Sequence, residues 1–465
     1  MNMINVRRLA VMTFLGAGML SDISAQDFSL QADTLNEARL PAQWDLQSCI
    51  DYALEQNITI RKNRVTAEST QIDVKTAKAA LFPSLSFSTS QQVVNRPYQE
   101  TSSRVSGSEI ISSNSKTSYN GNYGLNASWT IYNGSKRLKT LKQERLNNQV
   151  AELDIATSEN TIKESIAQIY IQILYAAESV RVNENTLQVS IAQRDRGQEL
   201  LNAGSIAKSD FAQLEAQVST DRYQLVTAQA TLQDYKLQLK QLLELDGENE
   251  MNVYLPNLSD ENVLAPLPAK KDVYVSALAI RPEIEASKSN VEASELGIDI
   301  AKSSYFPTIS LSAGIGTNHT SGSDFTFGEQ VKNGWNNSIG LSVSVPIFNN
   351  RQTKSAVQKA RLQRETNMLS LLDEQKALYK TIESLWLDAN SAQQRYAAAN
   401  EKLRSTQISY DLISEQFNLG MKNTVELLTE KNNLLQAQQE QLQAKYMAIL
   451  NTQLLKFYQG DKLTL

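Results

Sequence analysis

At 465 residues the chain could hold several ordinary domains, yet glycine (18) and proline (9) are scarce while Gln, Asn, Ala, Leu and Ser abound, a balance suited to long uninterrupted helices. Its 45 basic and 50 acidic residues leave a net charge of −5 spread along the chain, which excludes the basic face that nucleic-acid binding requires. One cysteine, Cys49, excludes an intrachain disulfide framework.

Arg7 and Arg8, the apolar stretch Leu9–Leu20 and the small residues Ser24 and Ala25 read as a secretory signal over 1–25, with cleavage expected after Ala25. The apolar run is too short to span a bilayer. A first structural unit is expected over 26–245. Its opening helix carries Cys49 within WDLQSCIDYALEQN, where a buried small apolar residue is expected. The charged helical run that follows stops at Phe82-Pro83, because proline lacks an N–H and disfavours helix at the residue before it. Strands are predicted at about 83–92 and 119–131, around a polar loop at 91–118. In the second of them Tyr119, Gly121, Tyr123, Leu125, Ala127, Trp129 and Ile131 alternate with Asn, Gly, Ser and Thr. A very long helix is predicted over 134–202, roughly 100 Å at 1.5 Å per residue. Its seam of Ile162, Ile166, Ile169, Ile173, Ala176 and Val180 weakens at Asn183 and Ser190. Gly204 interrupts the pattern as a left-handed cap does, and a return helix is predicted at 206–245.

The Pro-containing stretch 246–272 reads as a linker. The second unit, 273–460, repeats the order: a helix ending at Phe306-Pro307, strands at about 307–316 and 337–347, a helix at 349–419, Gly420 and a return helix at 422–458, before a tail at 461–465. Pro346 is placed where the last strand returns to helix. The long helix carries a seam at Leu378, Ile382, Leu385, Ala389, Ala392, Tyr396, Ala399, Leu403, Thr406, Tyr410, Ile413 and Phe417. LFPSLSFS at 81–88 returns as YFPTISLS at 305–312, and Asn202, Gly204 and Asp210 match Asn418, Gly420 and Glu426, so the chain reads as a tandem repeat. The single histidine, His319, falls in the polar loop 317–336 and reads as an exposed loop residue. No ligand cluster, phosphate loop or nucleophile motif accompanies it, so neither an enzyme nor a metal or cofactor site is expected.

A strand of about ten residues with one apolar and one Ser/Asn-rich face is what a membrane β-barrel requires. Four such strands cannot close, and unpaired edge groups in hydrocarbon cost several kcal/mol each, so two or three copies must complete the barrel. Heptads alone would equally fit a periplasmic coiled-coil adaptor or scaffold without a barrel, a reading that leaves the four alternating strands unexplained.

The repeated halves, the Phe-Pro junctions, the Asn-x-Gly turns at 202–204 and 418–420, and FNLGMKNTVELLTEKNNLLQAQQE at 417–440 resemble the TolC-like outer-membrane efflux proteins of Gram-negative bacteria, from about Trp44 to Gly460. The resemblance implies an α+β membrane protein: a homotrimer whose four strands per protomer form a twelve-stranded barrel in outer-membrane lipid, continued by an α-helical coiled-coil tunnel across the periplasm. It implies the outer-membrane channel of a tripartite efflux or type I secretion system, docked through a periplasmic adaptor (membrane fusion) protein to an inner-membrane pump of RND or ABC type. By the same resemblance, the hairpin tips Asn202, Gly204, Asn418 and Gly420 contact the adaptor. Asp210, Lys422, Glu426 and Phe417 form the periplasmic gate, and Thr429 stands at a second acidic position of the family pattern, which is therefore depleted.

Overall fold

The computed structural model describes residues 41–98, 102–106, 109–113, 116–246, 251–256, 263–321, 323 and 325–464. The signal expected at 1–25 lies outside the described residues. Among the described residues, 41–44 and Asn252–Tyr254 belong to a small unit of their own, joined by a parallel bridge in which the Trp44 N–H donates to Asn252 O and the Tyr254 N–H to Trp44 O, both at 2.8 Å. The remaining described residues form the second unit, described from here on.

Asp45 opens α1 (Leu46–Gln56) by accepting the Ser48 N–H at 2.7 Å, while Ser48 Oγ accepts the Asp45 N–H at 3.2 Å. Cys49 is fully buried on this helix, and burial pushes its thiol up to about 12, so it stays protonated and inert at neutral pH. Asn57 ends α1 and caps α2 (Ile58–Ala79), accepting the Thr59 N–H at 2.9 Å and donating through Nδ2 to Leu242 O at 3.1 Å. Strand β1 (Ser84–Asn95) begins directly after Pro83. The stretch expected as a polar loop at 91–118 instead contains a small antiparallel hairpin, β2 (Ser102–Ser106) with β3 (Glu109–Ser113), before β4 (Thr117–Asn133).

After β4 come α3 (Lys136–Asn202) and α4 (Lys208–Leu242), then α5 (Lys270–Ile280) and α6 (Pro282–Ser303). The second sheet half comprises β5 (Thr308–Thr320), a short helix α7 (Phe327–Asn333) and β6 (Asn336–Ser344). Two more long helices follow, α8 (Gln352–Asn418) and α9 (Thr424–Gln459). Helices α3 and α8 each run 67 residues, roughly 100 Å at 1.5 Å per residue. Part of the expected linker is pinned to α8: Gln393 Nε2 donates to Val263 O and Ala265 O, at 2.9 and 2.8 Å, and Trp386 Nε1 to Pro268 O at 3.0 Å.

The main sheet has the order β1-β4-β5-β6, antiparallel throughout, so β1 and β6 are its open edges. A buried cluster of Val273, Ala277, Ile284, Leu378, Ile382, Ala389, Leu455 and Tyr458 joins α5, α6, α8 and α9. Each large aliphatic there contributes roughly 1.5–3 kcal/mol relative to an exposed side chain. The predicted seam of α8 is buried at Leu378, Ile382, Ala389, Ala392, Tyr396, Ala399 and Phe417, and only half-buried at Leu385, Leu403, Thr406, Tyr410 and Ile413.

The strand-to-helix turns use left-handed backbone, Gly134-Ser135 before α3 and Asn350-Arg351 before α8. Gly134 has φ +66°, and a Cβ there would lie 2.7 Å from Ser303 O and 2.9 Å from Phe306 Cβ. Gly134→Ala is therefore expected to lower stability by about 2 kcal/mol or more, because the left-handed conformation alone costs an L-residue roughly 1–2 kcal/mol and the clash adds to it. At Gly204, with φ +72° and nothing within 4 Å, only the backbone cost applies. Thermal denaturation of the two purified variants should rank them in that order.

Candidate functional site

The register of the sheet sorts its side chains into two faces. One face carries the rows Phe87–Leu125–Ile315–Asn337, Leu85–Ala127–Ala313–Ile339, Trp129–Leu311–Leu341 and Tyr132–Ile309–Val343, apolar but for Asn337 near the start of β6. The other carries Ser84–Ser128–Ser312–Gly340, Ser86–Asn126–Gly314–Ser338 and Ser88–Gly124–Gly316–Asn336. Leu85, Phe87, Ile339, Leu341 and Val343 are exposed, an arrangement that water alone would oppose. A bulge between Thr130 and Tyr132 corrects the simple alternation: Ile131 is the extra residue, and Tyr132 takes its place opposite Ile309. Among the described residues no helix is long and apolar enough to cross a membrane.

His319 is not a loop residue. Strand β5 continues through it, and its ring lies among those of Tyr119 (5.2 Å between centroids), Tyr123 (5.9 Å) and Phe327 (5.0 Å). The strand outruns the prediction because α7 folds back on its end. Thr317 Oγ1 donates to Val331 O at 2.7 Å, and the Thr320 N–H donates to Gln330 Oε1 at 2.8 Å.

Phe82-Pro83 and Phe306-Pro307 lie between helix and strand. Trp129 Nε1 donates to Leu81 O at 2.8 Å and ties the first junction to β4. Pro346 lies beyond the end of β6 at Ser344 and ahead of α8.

At the opposite end of the long helices, Gly204 (φ +72°) and Gly420 (φ +74°) make two matching turns. The Ser205 N–H donates to Leu200 O at 2.8 Å and the Met421 N–H to Gln416 O at 2.9 Å, which satisfies carbonyls left over at each helix end. Asn202 Oδ1 accepts from Gln198 Nε2 at 3.0 Å, and Asn418 is exposed. Asp210 accepts the Ala207 N–H at 3.3 Å in the first turn of α4. Asn423 caps α9 by accepting the Glu426 N–H at 2.9 Å, while Lys422 Nζ pairs with Glu426 Oε2 at 3.0 Å. Phe417 is buried just before the turn. Thus Lys422 and Glu426 are brought together. Among the described residues no ion pair joins Lys422 to Asp210 within the chain.

A polar node lies further along the helices, and the sequence reading missed it. Lys431 Nζ donates to Ser190 Oγ and to Asp221 Oδ2, and Ser190 Oγ also donates to Asp221 Oδ2. Gln217 Nε2 donates to Asp221 Oδ1 at 2.8 Å. Burial pushes the Lys431 ammonium down from its ordinary value, against a smaller upward pull from Asp221. The visible signal was the polar Ser190 in the α3 seam, matched by Asp221 three residues beyond Val218 and Lys431 four beyond Leu427. Nearby, Gln193 Nε2 donates to Tyr410 Oη at 2.9 Å, a further bond between the two helical hairpins.

The family described as outer membrane efflux protein matches residues 49–244 and 273–460. The outer membrane efflux protein BepC of Brucella suis is 25% identical over 294 residues, 63% of this chain and 61% of BepC. The outer membrane protein TolC of Escherichia coli is 24% identical over 339 residues, 70% of this chain. The chain spans 61% and 66% of the lengths of these two relatives. In fold it is similar to CusC, with a TM-score of 0.76 at 19% identity over 90% of this chain and 92% of that one. It is also similar to VceC of Vibrio cholerae, with a TM-score of 0.74 at 16% identity over 90% and 97% of the two chains.

Proposed function

The chain belongs to the outer membrane efflux protein family and is a protein of the outer membrane rather than an enzyme, and from that premise we propose that three copies form an export duct. In this reading the sheets of three protomers close into one twelve-stranded barrel, β1 of each pairing with β6 of the next. The observation that carries it is a four-stranded sheet with two open edges, one exposed apolar face and one face of Ser, Asn and Gly. Lipid would cover the first face and water the second, and edge pairing between copies would satisfy the backbone groups that hydrocarbon cannot.

The helices continue the barrel as a periplasmic tunnel, with Phe82-Pro83, Phe306-Pro307 and Pro346 at the passage between the two. The duct serves efflux or secretion by docking through its tips, Asn202, Gly204, Asn418 and Gly420, to an adaptor protein and an inner-membrane pump. Its entrance is guarded by Asp210, Lys422, Glu426 and Phe417. The Lys422–Glu426 pair is substantially exposed and contributes under about 1 kcal/mol, which suits an entrance that a partner must open. Both Asp210 and Lys422 would face neighbouring protomers across the pore.

Purified protein should run as a trimer, fractionate with the outer membrane and conduct ions in planar bilayers. A soluble protein that needs no detergent would instead favour the coiled-coil scaffold. Asp210→Ala combined with Lys422→Ala is expected to raise single-channel conductance, and unchanged conductance would remove these residues from the gate.

A further inference from the structure

We propose that the Ser, Asn and Gly face of the sheet is an electrically neutral lining that admits solutes of either charge equally, so that the barrel does not sort cargo by charge. Strands β1, β4, β5 and β6, of 12, 17, 13 and 9 residues, contain no Asp, Glu, Lys or Arg on either face, in a chain of which 20% is charged. Pores that select ions by sign do so with rings of charged side chains, whose field the low-dielectric walls focus into the lumen. This wall supplies none. Its polar groups are turned toward one another instead. Ser84 and Ser128 share a hydroxyl–hydroxyl bond at 2.8 Å, Ser86 Oγ donates to Asn126 O at 3.4 Å and Asn126 Nδ2 to Ser88 Oγ at 3.3 Å. Ser312 Oγ donates to Gly340 O at 3.2 Å, and Thr320 Oγ1 to Asn120 Oδ1 at 2.6 Å.

Glycines make room for this pairing. A Cβ at Gly314 would lie 3.0 Å from Ser338 Oγ and 3.4 Å from Asn126 Oδ1, and one at Gly340 would lie 3.0 Å from Ser312 Oγ. The hydroxyls and amides therefore lie across the glycines, with their dipoles paired along the wall rather than aimed at a passing solute. Charge resumes at the two ends of the sheet, where Arg137 Nη1 donates to Thr130 O at 2.6 Å and the Arg96 N–H donates to Lys116 O at 2.6 Å. In the row Ser86–Asn126–Gly314–Ser338, Asn126 is four residues from Thr130 and Ser86 ten from Arg96, roughly 13 and 33 Å at about 3.3 Å per residue. Both distances exceed the Debye length, about 8 Å at physiological ionic strength, so the fields of the ends are screened at this row.

The neutral lining rests on the reading of the sheet as part of a water-filled duct, and its test separates the two. Cys49 is fully buried and inert, so Ser338→Cys supplies the reactive thiol on this row. In membrane-inserted trimers, the rates at which a cationic and an anionic methanethiosulfonate of equal size modify that thiol are compared, each relative to a small free thiol in the same buffer. At about 0.15 M salt the two relative rates should agree within about twofold. Adding Asn126→Asp should favour the cationic reagent about tenfold, and adding Asn126→Lys the anionic one about tenfold, because each ring then brings three charges close to the thiol. Ser86→Cys, at the other end of the row, carries the test if Ser338→Cys does not assemble. A tenfold or greater preference for either reagent at the single thiol, or no response to the added rings, would overturn the neutral lining. A thiol that neither reagent reaches in the membrane, but that both reach once the protein is unfolded, would overturn the duct itself.

Discussion

Ile339→Arg should abolish accumulation of assembled protein in the outer membrane, whereas Ser338→Arg, one residue away, should leave assembly intact and change only conductance. The register puts Ile339 in the row Leu85–Ala127–Ala313–Ile339 and Ser338 in the row Ser86–Asn126–Gly314–Ser338. Ile339 is 83% exposed, on a row flanked by others on both sides, so in a closed barrel it lies near the middle of the lipid-facing band. An arginine at the midplane of a membrane barrel costs roughly 2–4 kcal/mol, and three copies make that roughly 6–12 kcal/mol per trimer. This approaches the whole stability of an ordinary domain, about 5–15 kcal/mol. Ser338 would instead project into a water-filled lumen, where an added charge is solvated. Fractionation of membranes followed by non-denaturing electrophoresis reads the first outcome, and bilayer recording reads the second. Equal tolerance of both substitutions would mean that lipid does not cover the apolar face, and would favour the periplasmic scaffold.

Such opposed predictions for adjacent residues are possible because the strands were legible as strict alternation, and so were the long helices as seams of seven-residue spacing. Phe-Pro at 82–83 and 306–307 gave the junctions a chemical reason. What escaped the sequence did so for identifiable causes. The β2–β3 hairpin has only Val105, Ile110 and Ile111 as apolar residues, too few for a periodicity to emerge from SSRVS and EIISS. Helix α7 is 7 residues long, below the length at which a helical period is visible, although the reciprocal cap of Thr326 and Glu329 that starts it is a readable signal. The bulge at Ile131 shifts the faces without changing composition. The residues proposed for a gate came from family resemblance alone. Within the chain they resolve into a Lys422–Glu426 pair and an Asp210 helix cap, and the contact proposed across a pore would need a second protomer. The node of Ser190, Asp221 and Lys431 was hidden because Asp221 and Lys431 look like ordinary surface charges until their partner helices are known.

Arg281→Met should destabilise each protomer by about 3 kcal/mol, more at neutral than at acid pH. Arg281, 5% exposed, stands at the joint between α5 and α6, where its Nη2 donates to Glu164 Oε1 at 2.9 Å. Its guanidinium lies 3.6 Å from the centre of the Tyr458 ring and 5.0 Å from that of Phe457. Tyr458 Oη in turn donates to Glu164 Oε2 at 3.4 Å. One cation thus holds α3, the α5–α6 joint and the end of α9 together. Removing it strands a carboxylate in a poorly solvated site, the situation in which breaking a buried pair costs roughly 3–5 kcal/mol. The lower end applies because Glu164 keeps some access to water. In the intact protein burial already raises the Glu164 carboxyl above its ordinary value, with Arg281 pulling it back down. Without Arg281 the Tyr458 hydrogen bond is left as the main downward pull, and the carboxyl rises further. A carboxyl raised in the folded state holds its proton where the unfolded chain has lost it, so the folded form is favoured below the unfolded value of 4.5 and loses that advantage as pH rises through the folded one. The gap in thermal midpoint between wild type and Arg281→Met should therefore be narrow near pH 4.5 and widen toward neutrality. Adding Glu164→Gln to Arg281→Met removes the stranded charge and should flatten that pH dependence; a gap that stays constant across the range would show that Arg281 acts through packing on Tyr458 and Phe457 rather than through Glu164.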